Sequence, residues 1–216
     1  MSVRLGRFLE RNVPTTQFAY RKGQGTCDAL LCMSHTLKSA LESGPEARIV
    51  QIYFSAAFDR VNHQGIVYRH ALWVLEVLCS LFRQFLSNRS QHVMVDGCWS
   101  KLVDVVSGVT QGSVFGPLLF LLFTSELFVI LENKLIGYTD DSTLMAVVPS
   151  PGVRVTVAEF LIRDLARVSD WCDLWGMKLN ASKTKTMNQD YDSLQVIHNA
   201  SPVTPINYWW NCTDGV

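Results

Sequence analysis

The sequence predicts an α+β domain, on three observations. A β-rich run from Arg48 to Phe54 alternates too little for a half-exposed strand, which puts it at the centre of a sheet. Two apolar runs, Leu135-Ile136 and Leu144-Met145-Ala146-Val147-Val148, bracket the polar stretch Tyr138-Thr139-Asp140-Asp141 and read as a hairpin with an acidic tip. Two segments repeat apolar residues at helical spacing: Leu30, Met33, Leu37 and Leu41 in one, Val157, Leu161, Leu165, Val168 and Cys172 in the other.

Composition bounds the answer. With 216 residues, 48% of them hydrophobic and 11% aromatic, the chain can bury a core as one large domain or two small ones, and it is not disordered. A formal net charge of zero gives no support of its own for a nucleic-acid partner. Arg4, Arg7, Arg11, Arg21 and Lys22 against Glu10 alone make a basic N-terminal arm or an ordinary solvated surface. The cysteines are scattered and form no Cys-x-x-Cys pair, which excludes a zinc framework or a small disulfide scaffold and reads as free thiols in a reducing compartment. No signal segment follows Met1. The apolar stretch Val114 to Leu131 is interrupted by Gly116, Pro117, Ser125 and Glu126, so a buried helix is expected there rather than a membrane span. An intracellular protein, in cytoplasm or nucleus, is the expectation.

The elements follow in order. Residues 1–25 are polar and lack a period. Thr26 is expected to cap the first helix, and Ser43-Gly44-Pro45 to stop it. After the 48–54 strand, Ala71 to Leu86 reads as helix. Gln91 to Val95 and Leu102 to Val106 read as two strands joined through Asp96-Gly97. A Gly-bearing loop, Ser107 to Ser113, feeds a helix with Pro117 near its first turn, where the missing N–H costs nothing. The Val155 to Trp175 helix ends at Gly176. From about Asn188 the pattern is lost. Val203-Thr204-Pro205 and Tyr208-Trp209-Trp210-Asn211 follow neither period, so residues 1–187 are expected to form the domain and 188–216 an unassigned tail.

The acidic tip carries the chemistry. Adjacent carboxylates on a rigid turn repel each other unless a cation lies beside them. Oxygen ligands of that kind suit Mg²⁺, which usually takes one or two protein carboxylates plus substrate phosphates. On the dipeptide alone an ordinary acidic turn reads better, because Asp favours turns.

Five blocks in one order change that reading. They are Gln17-Phe18-Ala19-Tyr20-Arg21-Lys22-Gly23, with Asp28-Ala29-Leu30; Phe54-Ser55-Ala56-Ala57-Phe58-Asp59-Arg60-Val61-Asn62-His63; Ser107-Gly108-Val109-Thr110-Gln111-Gly112-Ser113-Val114-Phe115-Gly116-Pro117-Leu118-Leu119-Phe120; Tyr138-Thr139-Asp140-Asp141; and, more weakly, Gly176-Met177-Lys178-Leu179-Asn180 with Lys183-Thr184. Across roughly residues 17–187 the chain resembles the reverse transcriptase domain of non-LTR (LINE-type) retrotransposons. The resemblance implies a palm built as a split β-α-β antiparallel sheet with packed helices, part of the fingers, and no recognisable thumb. It implies RNA-directed DNA polymerase chemistry, in which two divalent ions, Mg²⁺ or Mn²⁺, stabilise the attacking and leaving oxygens of nucleotidyl transfer. RNA template, DNA primer and deoxynucleotides are the implied partners, with no membrane.

By position, the resemblance makes Asp140 and Asp141 metal ligands. It makes Phe58 the aromatic that blocks a 2′-hydroxyl, and Gln111 and Gly112 the loop against the nascent base pair. Arg21 becomes a candidate for the triphosphate and Lys183 a candidate proton donor to pyrophosphate. Taken singly, Phe58 reads as a core aromatic, Gln111-Gly112 as a helix-entry loop, and Arg21 and Lys183 as surface charges.

The chain also departs from the pattern. Where the family carries its first metal-binding Asp, directly before Phe54, this sequence has Tyr53. A phenol is neutral at pH 7 and a poor Mg²⁺ ligand. Asp59 lies further along, ~20 Å away if the chain stayed extended, and belongs to the motif in its own right. Thr139 stands where Ala is common and Thr110 where Pro is common; residues 67–80 and the stretch after Met187 leave the pattern. The expectation is a truncated or decayed copy with lost or reduced catalysis, and the alternative is a non-catalytic nucleic-acid-binding remnant.

Overall fold

The computed structural model of the chain describes residues 12–66, 76–190 and 194–197. Its centre is an antiparallel sheet of five strands: β1 (Glu46–Ile52), β6 (Lys134–Tyr138), β7 (Asp141–Val148), β8 (Lys185–Asp190) and β9 (Leu194–Ile197), in the spatial order β6-β7-β1-β8-β9. β1 is the middle strand, as its lack of alternation predicts. It pairs with β7 from Glu46↔Val148 to Ile52↔Ser142, and with β8 from Glu46↔Asp190 to Gln51↔Lys185.

Both faces of the sheet are covered, which is why β1 shows no polar face. On one face Val50, Ile52, Leu135, Leu144 and Ala146 join Phe120, Leu161, Val168 and Trp171 in the main core. On the other, Ile49, Ile136 and Met145 pack with Phe18, Ala29, Met33 and Leu37. The helices supplying these residues are α1 (Thr26–Ser43) on the second face, and α3 (Phe115–Thr124) and α5 (Arg154–Trp175) on the first.

Thr26 does not cap α1. Gly25 is the cap and Thr26 the first helical residue; the Gly25 N–H donates to the Asp28 carboxylate at 2.7 Å, so the acceptor comes from inside the first turn. Leu30, expected on the buried stripe, is 60% exposed, because the first turns of α1 border an open cleft. The helix stops at Ser43 as expected. A Cβ on Gly44 would lie 2.3 Å from the Val148 carbonyl oxygen, so only glycine lets the chain pass the end of β7.

Of the expected Ala71–Leu86 helix, α2 (Glu76–Leu86) is described and residues 71–75 lie outside the described residues. The Asp96-Gly97 hairpin forms with two short ladders. β2 (Ser90–Gln91) pairs with β5 (Val103–Asp104), and β3 (Met94–Val95) pairs with β4 (Cys98–Trp99) at the tip. The return strand thus begins earlier than Leu102, and the Ser100 hydroxyl interrupts the ladder by accepting the Val93 N–H.

The apolar stretch from 114 splits into α3 and α4 (Leu127–Ile130), with Pro117 in the first turn of α3. Among the described residues no helix is long and apolar enough to cross a membrane. In α5, Leu161, Val168 and Cys172 are buried as expected, and Gly176 closes the helix at φ 71. The sequence pattern did not reveal Asp164, fully buried on this helix. Its carboxylate accepts the N–H groups of Glu132 and Asn133, the Asn133 amide and an Arg167 guanidinium N–H, which fixes the turn that enters β6. The expected change of character at Asn188 falls inside β8; the tryptophans of the tail, and the arginines at 4, 7 and 11, lie outside the described residues.

Candidate active site

The acidic pair sits at a hairpin tip. Tyr138 and Asp141 are the closing pair of β6 and β7, leaving Thr139 and Asp140 as a two-residue turn. Thr139 has φ 61, the left-handed value that the first turn residue of a II′ hairpin needs and that glycine usually supplies. A β-branched residue there is strained by about 1–3 kcal/mol.

Residue 53 directly follows the end of the neighbouring strand β1. The β1–β7 register ends at Ile52↔Ser142, so Tyr53 and Asp141 are the next residues along the two segments. Tyr53, Tyr138 and Asp141 together line a cleft of about 280 Å³, walled by Ala29, Leu30 and Met33 of α1. The fifth block joins them. The Asn180 N–H donates to the Tyr53 carbonyl at 2.7 Å, and the Ser55 N–H to the Lys178 carbonyl at 2.7 Å. Lys183 follows and is close enough for its charge to act on Asp141.

The Asp141 carboxyl is held above its ordinary pKa. Partial burial contributes most, then repulsion from Asp140, while Lys183 pulls the other way. Among the described residues no group of three or more His, Cys, Asp or Glu side chains gathers where it could hold a metal ion. Asp59 does not supply the third carboxylate. Its Oδ1 instead accepts a hydrogen bond from the Gln111 amide at 3.4 Å, in the neighbouring loop.

That loop forms a second focus. Phe58 is half-buried, its ring stacked on Phe120 at 4.4 Å. The Val109 N–H donates to the Phe58 carbonyl and the Gly108 N–H to the Val61 carbonyl. Gly108 has φ 83, and a Cβ there would lie 2.8 Å from the Asp59 carbonyl oxygen, so this position needs glycine on both counts. Gln111 and Gly112 are exposed beyond it, Gly112 at φ 78 with open space around it.

Arg89 carries no motif signal, yet it anchors this loop. Its guanidinium donates to the Gly108 and Leu86 carbonyls and to the Thr110 hydroxyl, and it lies over the Phe85 ring. His63 Nε2 is 2.7 Å from the same Gly108 oxygen. Threonine at 110 thus offers Arg89 a hydroxyl acceptor that a proline there would lack. Arg21 is folded back on its own segment, where one guanidinium nitrogen donates to the carbonyls of Pro14 and Gln17.

The family model for "Reverse transcriptase (RNA-dependent DNA polymerase)" matches residues 1–208. The chain belongs to the reverse transcriptase family. It is 29% identical over 180 residues to the "RNA-directed DNA polymerase from mobile element jockey" of Drosophila funebris, covering 80% of this chain and 19% of that one. Against the protein of the same description from Drosophila melanogaster it is 31% identical over 179 residues, covering 79% and 19%. The chain therefore spans about a fifth of the length of these relatives. Telomerase from Candida tropicalis, solved in complex with the TWJ fragment of telomeric RNA, aligns at a TM-score of 0.59 and 12% identity over 94% of this chain and 37% of that one. The palm fold implied by the motif blocks is thus the fold of the reverse transcriptases, and the resemblance to non-LTR elements stands.

Polymerases of this family generally use divalent metals. Asp140 and Asp141, oxygen-only and mutually repelling, suit a single Mg²⁺ or Mn²⁺ completed by water or phosphate. Among the described residues no third carboxylate joins them, and Tyr53, which lines the same cleft as Asp141, carries a phenol instead.

Proposed function

We propose that this chain is a reverse transcriptase palm with part of the fingers, in which nucleotidyl transfer is severely reduced because Tyr53 replaces the first metal-binding Asp. The observation that carries this reading is the cleft beside the acidic tip that Tyr53 and Asp141 line together, one residue past the last β1–β7 pair, Ile52↔Ser142. In this reading Asp140 and Asp141 hold one divalent ion, whose chemistry when bound is to screen phosphate charge. Phe58 bars a 2′-hydroxyl from its half-exposed edge. Gln111 and Gly112 face the nascent base pair. Lys183, near Asp141, donates a proton toward pyrophosphate, and Arg21 serves the triphosphate only by leaving the Pro14 and Gln17 carbonyls that hold it here. RNA template, DNA primer and deoxynucleotides are the proposed substrates; the relatives described as RNA-directed DNA polymerases support the template.

A second reading is a nucleic-acid-binding remnant without chemistry. It is favoured by the missing third carboxylate among the described residues. Losing one electrostatic partner at a transition state typically costs roughly 10²–10³ in rate, and losing a metal ligand should cost at least that. Primer extension with Mg²⁺ is therefore expected to be negligible. Tyr53→Asp should tighten Mg²⁺ binding and, if the fingers and thumb functions suffice, restore measurable extension. Robust extension by the unmutated chain would overturn the proposal. Nucleic-acid binding with no extension, even with Tyr53→Asp and tightened metal binding, would favour the remnant.

A further inference from the structure

We propose that Gln17 is a positioning residue for the acidic tip, acting through the carbonyl of Thr139. The inference rests on the reading of Asp140 and Asp141 as a metal site.

Gln17 is a polar side chain only 1% exposed. Its amide is used on both sides. Nε2 donates to the Thr139 carbonyl at 3.3 Å, across 122 residues of sequence, and Oε1 accepts the Ala19 N–H at 3.2 Å. An amide is the uncharged side chain that presents donor and acceptor from one plane. A carboxylate would set lone pairs against the Thr139 carbonyl, and a hydrocarbon would leave that carbonyl unpaired.

The backbone beneath the side chain is fixed as well. The Phe18 N–H donates to the Gly137 carbonyl at 3.0 Å and the Gly137 N–H to the Thr16 carbonyl at 2.9 Å, so residues 16–18 pair with the open edge of β6. The Gln17 N–H donates to Pro14, and Arg21 closes the same turn. Gly137 makes room for the arm: a Cβ there would lie 2.7 Å from Gln17 Nε2 and 2.8 Å from the Phe128 ring.

The atom that Gln17 holds matters. The Thr139 carbonyl and the Asp140 N–H share one planar peptide unit. Fixing that carbonyl fixes the plane from which Asp140 leaves the turn, and so the direction of its carboxylate relative to Asp141. The need is real because Thr139 sits at φ 61, a conformation that a β-branched residue keeps only when its surroundings over-determine it. Groups that hydrogen-bond behind metal ligands commonly set ligand orientation in this way.

The test uses the full chain with Mn²⁺ as the probe, read by electron paramagnetic resonance, alongside amide NMR shifts of Thr139 to Asp141 without metal. Gln17→Met keeps the volume and removes the donor. Mn²⁺ affinity should fall by about 10- to 100-fold with a cooperative melt retained, and the tip resonances should move before metal is added. Thr139→Gly added to Gln17→Met should recover part of the loss, because glycine holds a positive φ unaided. Asp140→Asn serves as reference. Full affinity in folded Gln17→Met, with affinity lost in Asp140→Asn, overturns the role of Gln17 alone. Full affinity in Asp140→Asn overturns the metal-site reading instead. Should Gln17→Met not fold, Gln17→Glu replaces it. Protonated, its carboxyl keeps both donor and acceptor; ionised, it loses the donor. Asp140 and Asp141 titrate in both chains, so the readout is the difference from the unmutated chain. It should be small at low pH and grow as the introduced carboxyl ionises, and tip resonances that match the unmutated chain throughout overturn the proposal.

Discussion

Two hairpins in this chain turn on two residues each and reach the turn by opposite routes. At the β3–β4 tip, Asp96 and Gly97 hold φ 50 and 77, and both residue types tolerate those values. The strands on either side stand in solvent, with Met94 57% and Trp99 60% exposed. At the β6–β7 tip, Thr139 holds φ 61 against its own preference, and the following strand is buried from Ser142 to Ala146. That hairpin is held from outside: by Gln17 at the tip and by Asp164 at the entry to β6. The first turn is written locally. The second is imposed by distant parts of the fold, and it is the one that presents the charged pair.

The largest effect that could break this contrast lies at Asp164. Asp164→Ala removes a fully buried carboxylate with four hydrogen bonds and leaves its donors unpaired. The expected cost is about 3–5 kcal/mol in urea unfolding. Trp99→Ala, in the solvent-exposed hairpin, should change stability by only about 0.5 kcal/mol. Equal losses at the two sites would mean that the acidic hairpin is not specially anchored.

Next comes the strand beside the tip. Tyr53→Asp should tighten Mg²⁺ binding by at least about tenfold, or roughly 1.4 kcal/mol, while Tyr53→Phe leaves it unchanged. Metal affinity that ignores Tyr53→Asp in a folded protein would show that residue 53 does not face the site.

A smaller effect separates the turns directly. Thr139→Gly relieves the left-handed strain and should leave stability equal or up to about 1 kcal/mol higher, the relief being partly offset by glycine's unfolded-state entropy. Gly97→Ala puts a Cβ at φ 77 and should destabilise by about 1 kcal/mol. Thermal melts of the two variants give the signs. Destabilisation by Thr139→Gly would mean that the threonine side chain itself supports the tip.

The same contrast explains what could be read from the sequence. The Asp96-Gly97 turn, the central strand and the α5 stripe follow local rules of turn chemistry and period, and the structure carries them. The acidic pair and the order of the five blocks were legible because each is contiguous. Gln17, Arg89 and Asp164 were not legible as anchors. Each is a single polar residue with a partner 21 or more positions away, and neither a helical nor a strand period marks such a residue. The Thr26 cap failed because Gly25 borrows its acceptor from Asp28, and Leu30 failed because periodicity assigns a face without saying where the covering sheet ends.

The smallest effect is electrostatic, and it tests whether the tip is as close-knit as its register suggests. Asp141 is raised above its ordinary pKa of 3.8 by burial first and by Asp140 second, and Lys183 opposes both. Ionising such a group costs the folded state more than the unfolded one. Its favourable contribution is therefore fully present below about pH 3.8 and is lost as pH rises through the higher folded value. Asp141→Asn should remove that slope, so the stability of the unmutated chain relative to the variant should decline on moving from acid toward neutral pH. Carboxyl ¹³C titrations resolve the causes: Asp140→Asn should bring the Asp141 midpoint down, and Lys183→Gln should push it up. Divalent metal reverses the slope, since it binds the ionised form and competes with the proton. An Asp141 midpoint that ignores Asp140→Asn would leave burial as the sole cause and separate the two carboxylates that the proposed site requires to act together.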